Sequence, residues 1–132
     1  MSIIRTQERI DKTGEIFTPI ELVNEILDKL PIELFKDADK TFCDPAAGDG
    51  NFLEQILLKK LKYSTDKTRC LKSIYGVELM QDNVDVCKNR LLDIAGHTQE
   101  NIDIVEKNIV CANSLKYDFS FGEPIGIENW CS

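Results

Sequence analysis

Apolar positions along this chain follow two rhythms in turn, one of helices and one of strands. Val23, Ile26, Leu27 and Leu30 stand at helical spacing. Ahead of them, Thr18-Pro19-Ile20-Glu21 has a threonine cap, a proline at the first helical position and a glutamate three residues after the threonine, which predicts a capping box. Pro31 stops the run. Thr41-Phe42-Cys43 is a short β-prone segment, closed by Asp44-Pro45-Ala46-Ala47-Gly48-Asp49-Gly50. Phe52, Leu53, Ile56, Leu57 and Leu61 share one side of a second predicted helix. The charged stretch 59–72 reads as that helix's end and a surface loop, with Lys59, Lys60 and Lys62 in solvent.

Ser73-Ile74-Tyr75-Gly76-Val77 is the next predicted strand and delivers Glu78 at its end. Val84, Cys87, Leu91 and Ile94 mark a third helix, closed near Gly96. Ile102-Asp103-Ile104-Val105 and Asn108-Ile109-Val110-Cys111 are two further apolar runs, of which at least one is expected to be a strand. Strands alternating with helices predict an α/β fold with a parallel, doubly wound sheet and right-handed crossovers.

With 132 residues the chain fits one domain, residues 14–132, behind a polar arm, residues 1–13, that shows no period. Apolar residues at 42% and charged residues at 30% exclude a disordered tail, and no apolar run approaches the roughly 18 residues that span a bilayer. The first twenty residues carry charge throughout and lack a signal-peptide core, so a soluble, cytoplasmic protein with no membrane partner is expected. The net charge of −7 makes the chain a poor partner for nucleic acid on its own. Cys43, Cys70, Cys87, Cys111 and Cys131 form no close pair, and His97 is the only histidine, which disfavours a zinc site. Cys43, Cys87 and Cys111 are instead expected to act as small core hydrophobes.

Ligands of open α/β sheets sit outside the carboxyl ends of the strands. Asp44, Glu78 and Asn113 each follow a predicted strand and are expected to line one crevice. Gly48 and Gly50 let the loop backbone approach a ligand closely, but the third glycine of a dinucleotide fingerprint is missing. Asp44 and Asp49 would also repel a pyrophosphate. A ligand with a positive amine and sulfonium, such as S-adenosylmethionine, suits this acidic loop better, with Glu78 accepting hydrogen bonds from ribose hydroxyls.

Asp44-Pro45-Ala46-Ala47-Gly48-Asp49-Gly50-Asn51-Phe52 resembles the D-P-x-x-G-x-G-x-F motif of the amino-group DNA methyltransferases. Gly14-Glu15-Ile16-Phe17-Thr18-Pro19 resembles the G-x-x-x-T-P element that precedes it in the adenine-specific enzymes of restriction–modification systems. The resemblance implies a Rossmann-like class I methyltransferase fold, of which this chain is the first half of the sheet plus an N-terminal helix. It implies S-adenosylmethionine as cofactor, with Asp44, Pro45, Ala46, Gly48 and Gly50 around its methionine part and Thr18 reaching its carboxylate. Glu78 would bind the ribose, Leu79 would pack against the cofactor adenine, and Asn113 falls where the family commonly has an aspartate. The stretch from Asp44 to Glu78 exceeds the roughly 20 residues of a compact mononucleotide unit, and the excess is assigned to the charged loop around Thr65 to Arg69.

The family's catalytic Asn/Asp-Pro-Pro-Tyr/Phe element has no counterpart, since no two prolines are adjacent in this chain. The resemblance therefore assigns it the cofactor-binding part of an adenine methyltransferase, with no catalytic residue. DNA would be engaged through a downstream region or a partner chain. A non-catalytic binding module for S-adenosylmethionine or a partner, and one subunit of a split enzyme, stay open beside that reading. The outer edge of the first strand would be covered by residues 124–130 or by a second copy in a homodimer.

Overall fold

The computed structural model describes residues 18–122, and the arm at 1–13, the element at 14–17 and the segment at 124–130 lie outside the described residues. Helix α1, Ile20–Leu27, and the single turn α2, Glu33–Lys36, lead into strand β1, Phe42–Asp44. Helices α3, Asn51–Lys60, and α4, Lys67–Lys72, connect it to β2, Ile74–Glu78. Helices α5, Gln81–Ala95, and α6, Gln99–Asn108, then lead to β3, Ile109–Cys111. The strands form a parallel sheet in the order β1-β2-β3, with Phe42 opposite Ile74 and Gly76 opposite Ile109. This is a mixed α/β fold.

Both crossovers step across the sheet in the same direction, so right-handed connections put α3 to α6 on one face. The core lies there, with Leu53 and Leu57 of α3, Ile74 of β2, Val84 and Leu91 of α5 and Val105 of α6 all buried. Gly76 permits the close approach of α3, because a Cβ there would stand 2.8 Å from Leu53 Cδ1 and 3.0 Å from Ala47 Cβ. The opposite face carries Tyr75, whose ring meets Phe121 edge-on at 4.9 Å. A second helical layer on that face, which a doubly wound sheet requires, is not among the described residues.

Several elements depart from the pattern read along the sequence. The first helix begins at Ile20 with Pro19 as its cap and no side-chain cap hydrogen bond, so the threonine capping box does not form. The stretch taken as a loop before β2 holds α4, whose Cys70 and Leu71 are buried and whose cap, Asp66, accepts from Arg69 N–H. Ile102 to Val105 belongs to α6, capped by the Thr98 hydroxyl accepting from Asn101 N–H. Cys87 and Cys70 are buried as small hydrophobes, but Cys43 in the middle of β1 and Cys111 at the end of β3 are exposed. Buried Asn101 ties these helices together: its amide donates to the Ala95 and Gly96 carbonyls, and its oxygen accepts from the Thr68 hydroxyl.

Lys60 reverses its expected place most completely. It is fully buried at the end of α3, where its ammonium donates to the carbonyls of Asp37, Ala38 and Lys40 and to Ser73 Oγ. One cation thus gathers the loop before β1 and the residue before β2, and it lies 5.2 Å from the centroid of the Phe42 ring. Burial pushes its pKa below the usual lysine value, opposed by Cys70, Asp37 and Asp39. Lys59, its neighbour, forms a surface pair with Asp28 at 2.7 Å.

Replacing Lys60 by methionine takes the ammonium from the Ala38 and Lys40 carbonyls and from Ser73 Oγ, while Asp37 O keeps its bond from Lys40 N–H, and is expected to cost about 3 kcal/mol. Lys59→Met removes only a surface pair and should cost less than about 1 kcal/mol. Urea unfolding of the two variants checks this, and equal midpoints would contradict the role given to Lys60.

Candidate functional site

Strand β1 ends at Asp44 and α3 begins at Asn51, so the six residues between them turn sharply above the carboxyl edge of the sheet. The turn is held by its own backbone: Ala47 N–H donates to Val77 O at 2.9 Å, and Gly50 N–H donates to Ala47 O at 3.0 Å. Ala46 N–H donates to Asp44 Oδ1 at 3.0 Å. Gly50 has φ +97°, which disfavours any residue with a Cβ. A Cβ there would also stand 2.9 Å from Cys87 Sγ and 3.2 Å from Cys87 Cα, so α5 rests directly against the loop.

A cleft of about 450 Å3 opens beside this loop, in the range of small-molecule sites. Thr18, Asp44, Ala46, Gly48 and Asp49 line it, and Phe42, Phe52 and Ile56 supply apolar wall. Glu78 does not line the cleft but reaches the loop, its Oε1 accepting from Gly48 N–H at 3.1 Å. Its Oε2 accepts from Met80 N–H at 3.0 Å and from the buried Asn83 amide at 3.1 Å. The carboxylates of both strand ends therefore converge on the glycine loop.

That convergence has an electrostatic signature. Burial raises the Asp44 carboxyl above its ordinary 3.8, the Ala46 N–H pulls it down, and the nearby Glu78 charge adds to the rise. Cys43, beside it in the cleft wall, is pushed up to about 11 by burial and by Asp44. The cleft is thus acidic, with its thiol held neutral near pH 7.

Of the residues singled out in the sequence, Thr18, Asp44, Ala46 and Gly48 come together in the cleft. Pro45 is exposed on the same loop, and Gly50 is buried behind it. Leu79 is exposed just past the end of β2. Asn113 lies in the turn after β3, outside the cleft, where its Oδ1 accepts from Leu115 N–H at 3.0 Å. Sequence reasoning gave no role to Asn51, Asn83 or Arg90. Asn83 and Arg90 sit on α5, five and twelve positions after Glu78, and no local pattern connects them with the loop they reach.

The sequence pattern of the N-6 DNA methylase family matches residues 4–123. The chain is 30% identical over 118 residues to the Type II methyltransferase M.VspI of Vibrio sp. (strain 343), an overlap of 86% of this chain and 26% of that protein. It thus spans about a quarter of the length of that relative. No solved structure gives a significant match. No helix among the described residues is long and apolar enough to cross a membrane.

The raised Asp44 carboxyl has a consequence for stability. The folded state holds the Asp44 proton more tightly than the unfolded chain does, so this group's contribution to stability falls as pH rises from 3.8 through the raised value. Asp44→Asn keeps an oxygen for the Ala46 N–H and removes the repulsion from Glu78. It should stabilise the fold by about 0.5–1 kcal/mol at pH 7, as relief of functional strain does. Denaturant titration at pH 7 and pH 4 checks this, with the gain shrinking at the lower pH.

Proposed function

The chain belongs to the N-6 DNA methylase family, and we propose that it is the donor-holding part of an adenine-specific DNA methyltransferase of restriction–modification type. In this reading residues 14–132 form one S-adenosylmethionine-binding domain, the first half of a Rossmann-like class I methyltransferase sheet, in a cytoplasmic enzyme. The observation that carries the reading is the pair of strand-end carboxylates, Asp44 and Glu78, gathered on one glycine loop beside an acidic cleft.

The residues present fit the donor. Its ammonium and sulfonium are both cationic, and the carboxylates of Asp44 and Asp49 line the cleft. Ala46 and Gly48 of the cleft lining, on the loop shaped by Pro45 and Gly50, would hold the methionine part, and Thr18 would reach its carboxylate. Glu78 spends three of its roughly four acceptor positions within the protein, which leaves one for a ribose hydroxyl. Exposed Leu79 would pack against the adenine ring, while Asn113 lies outside the cleft lining. When bound, S-adenosylmethionine supplies a methyl group already activated by the positive sulfur.

The chain's own part in transfer is to bind and orient this donor. Transfer to an adenine amine also needs acceptors for that amine and a ring to hold the extruded base. Those groups, and the cations that neutralise DNA phosphates, belong in this reading to a downstream region or a partner chain. The net charge of −7 supports that division.

Titration calorimetry with S-adenosylmethionine should show saturable binding to the chain. Glu78→Gln should weaken it about tenfold or more, through loss of a charge-assisted hydrogen bond. Affinity should also fall on acidification, beginning above pH 3.8 where Asp44 takes up its proton, and Asp44→Asn should remove that dependence. A chain that takes up no S-adenosylmethionine overturns the reading.

A further inference from the structure

Arg90 has no part in the donor contacts above, yet its bonds converge behind the cleft. From α5 its Nε and Nη2 donate to the two oxygens of Glu54 at 2.9 and 2.8 Å, a two-pronged bond to α3. Its Nη1 donates to the Asp49 carbonyl at 3.2 Å and to Asn51 Oδ1 at 2.7 Å. Asp49 Oδ1 is buried with no hydrogen-bond donor, and its nearest cation is this same nitrogen at 3.3 Å. Asn51 then passes the connection on, its amide donating to the Thr18 carbonyl at 2.9 Å. Thr18, Asp49 and Asn51 all line the cleft, whereas the Arg90 side chain is 19% exposed behind it.

We infer that Arg90 is a positioning residue for donor binding: through Asp49 and Asn51 it locks the glycine loop to the segment at Thr18 and so fixes these two parts of the cleft lining relative to each other. The inference rests on the donor reading given above and adds a residue distant from it in sequence. Three features favour positioning over simple stability. Arginine's planar fork bonds Glu54 while its other nitrogen reaches the loop, which lysine's point charge cannot do. The carboxylate of Asp49 would face its neighbour Glu54 across a vacated site if Arg90 were removed. The path to Thr18 also runs through one side-chain amide, which a single substitution can cut.

Two variants of the 132-residue chain test this. Arg90→Lys keeps the charge but loses the fork. It should speed amide hydrogen exchange at Ala47, Gly48 and Gly50 by about tenfold while leaving Val77 and Leu91 unchanged, since local opening is independent of global unfolding. It should also weaken S-adenosylmethionine binding by about tenfold. Asn51→Asp keeps the acceptor for Arg90 and replaces the bond to the Thr18 carbonyl by repulsion, while the charge it adds to the cleft would by itself favour the cationic donor. Donor affinity should fall in this variant while exchange in the loop stays as in the parent. Uniformly faster exchange across the sheet in Arg90→Lys would assign Arg90 to fold stability and overturn the inference, as would unchanged donor affinity in either variant. If Arg90→Lys does not fold, Asn51→Asp decides by donor affinity alone. If the parent chain takes up no donor, the donor reading falls, and loop exchange in the ligand-free Arg90→Lys chain decides the role of Arg90.

Discussion

The contact between Gly50 and Cys87 governs where everything at the cleft can stand. Without a Cβ at position 50, the backbone of the loop lies against α5, closer than any other residue would allow. Two side chains of α5 then fall at useful distances. Asn83, one turn before Cys87, meets the Glu78 carboxylate, and Arg90, one turn after it, meets Glu54, Asp49 and Asn51. A bulkier residue at position 50 would push α5 outward and break both connections at once. The glycine thus acts at a distance, through a helix that carries the polar groups.

The ends of the sheet are treated in opposite ways. At the amino end a single buried cation, Lys60, collects three carbonyls of the loop before β1 and the Ser73 hydroxyl just before β2. At the carboxyl end, carboxylates accumulate around backbone N–H groups, and among the described residues Arg90 supplies positive charge to the loop. The first arrangement is satisfied internally and rigid. The second retains unbalanced negative charge, visible in the raised Asp44, and so has free energy to gain from a cationic ligand. Stability and function are separated along the strand axis.

Much of this architecture was legible along the chain. Helical spacing located α3 and α5, because each buries several apolar residues on one face, and short β-prone apolar runs located β1 and β2. Gly96 closed α5 as its position foretold. The helices not read from the sequence, α4 and α6, bury few apolar groups: α4 has only Cys70 and Leu71 to show for six residues, and α6 only Val105. Their real anchors are polar, as Asn101 to Ala95 and Gly96 and Asn108 to the Lys72 carbonyl illustrate, and polar burial leaves no hydrophobic period to read.

The sequence by itself determined the α/β class, the placement of Asp44 and Glu78 at strand ends and the glycine loop between strand and helix, all of which depend on neighbours within a few residues. Local spacing and turn chemistry suffice for such features. Only the tertiary structure decided that Lys60 is buried, that Cys43 is exposed in a cleft wall and that Asn113 stands apart from it. It alone brought Arg90 to Asp49 and Asn51, residues some forty positions away in the chain. Whether a charge is solvated or enclosed depends on which distant backbone folds over it, and no local pattern encodes that.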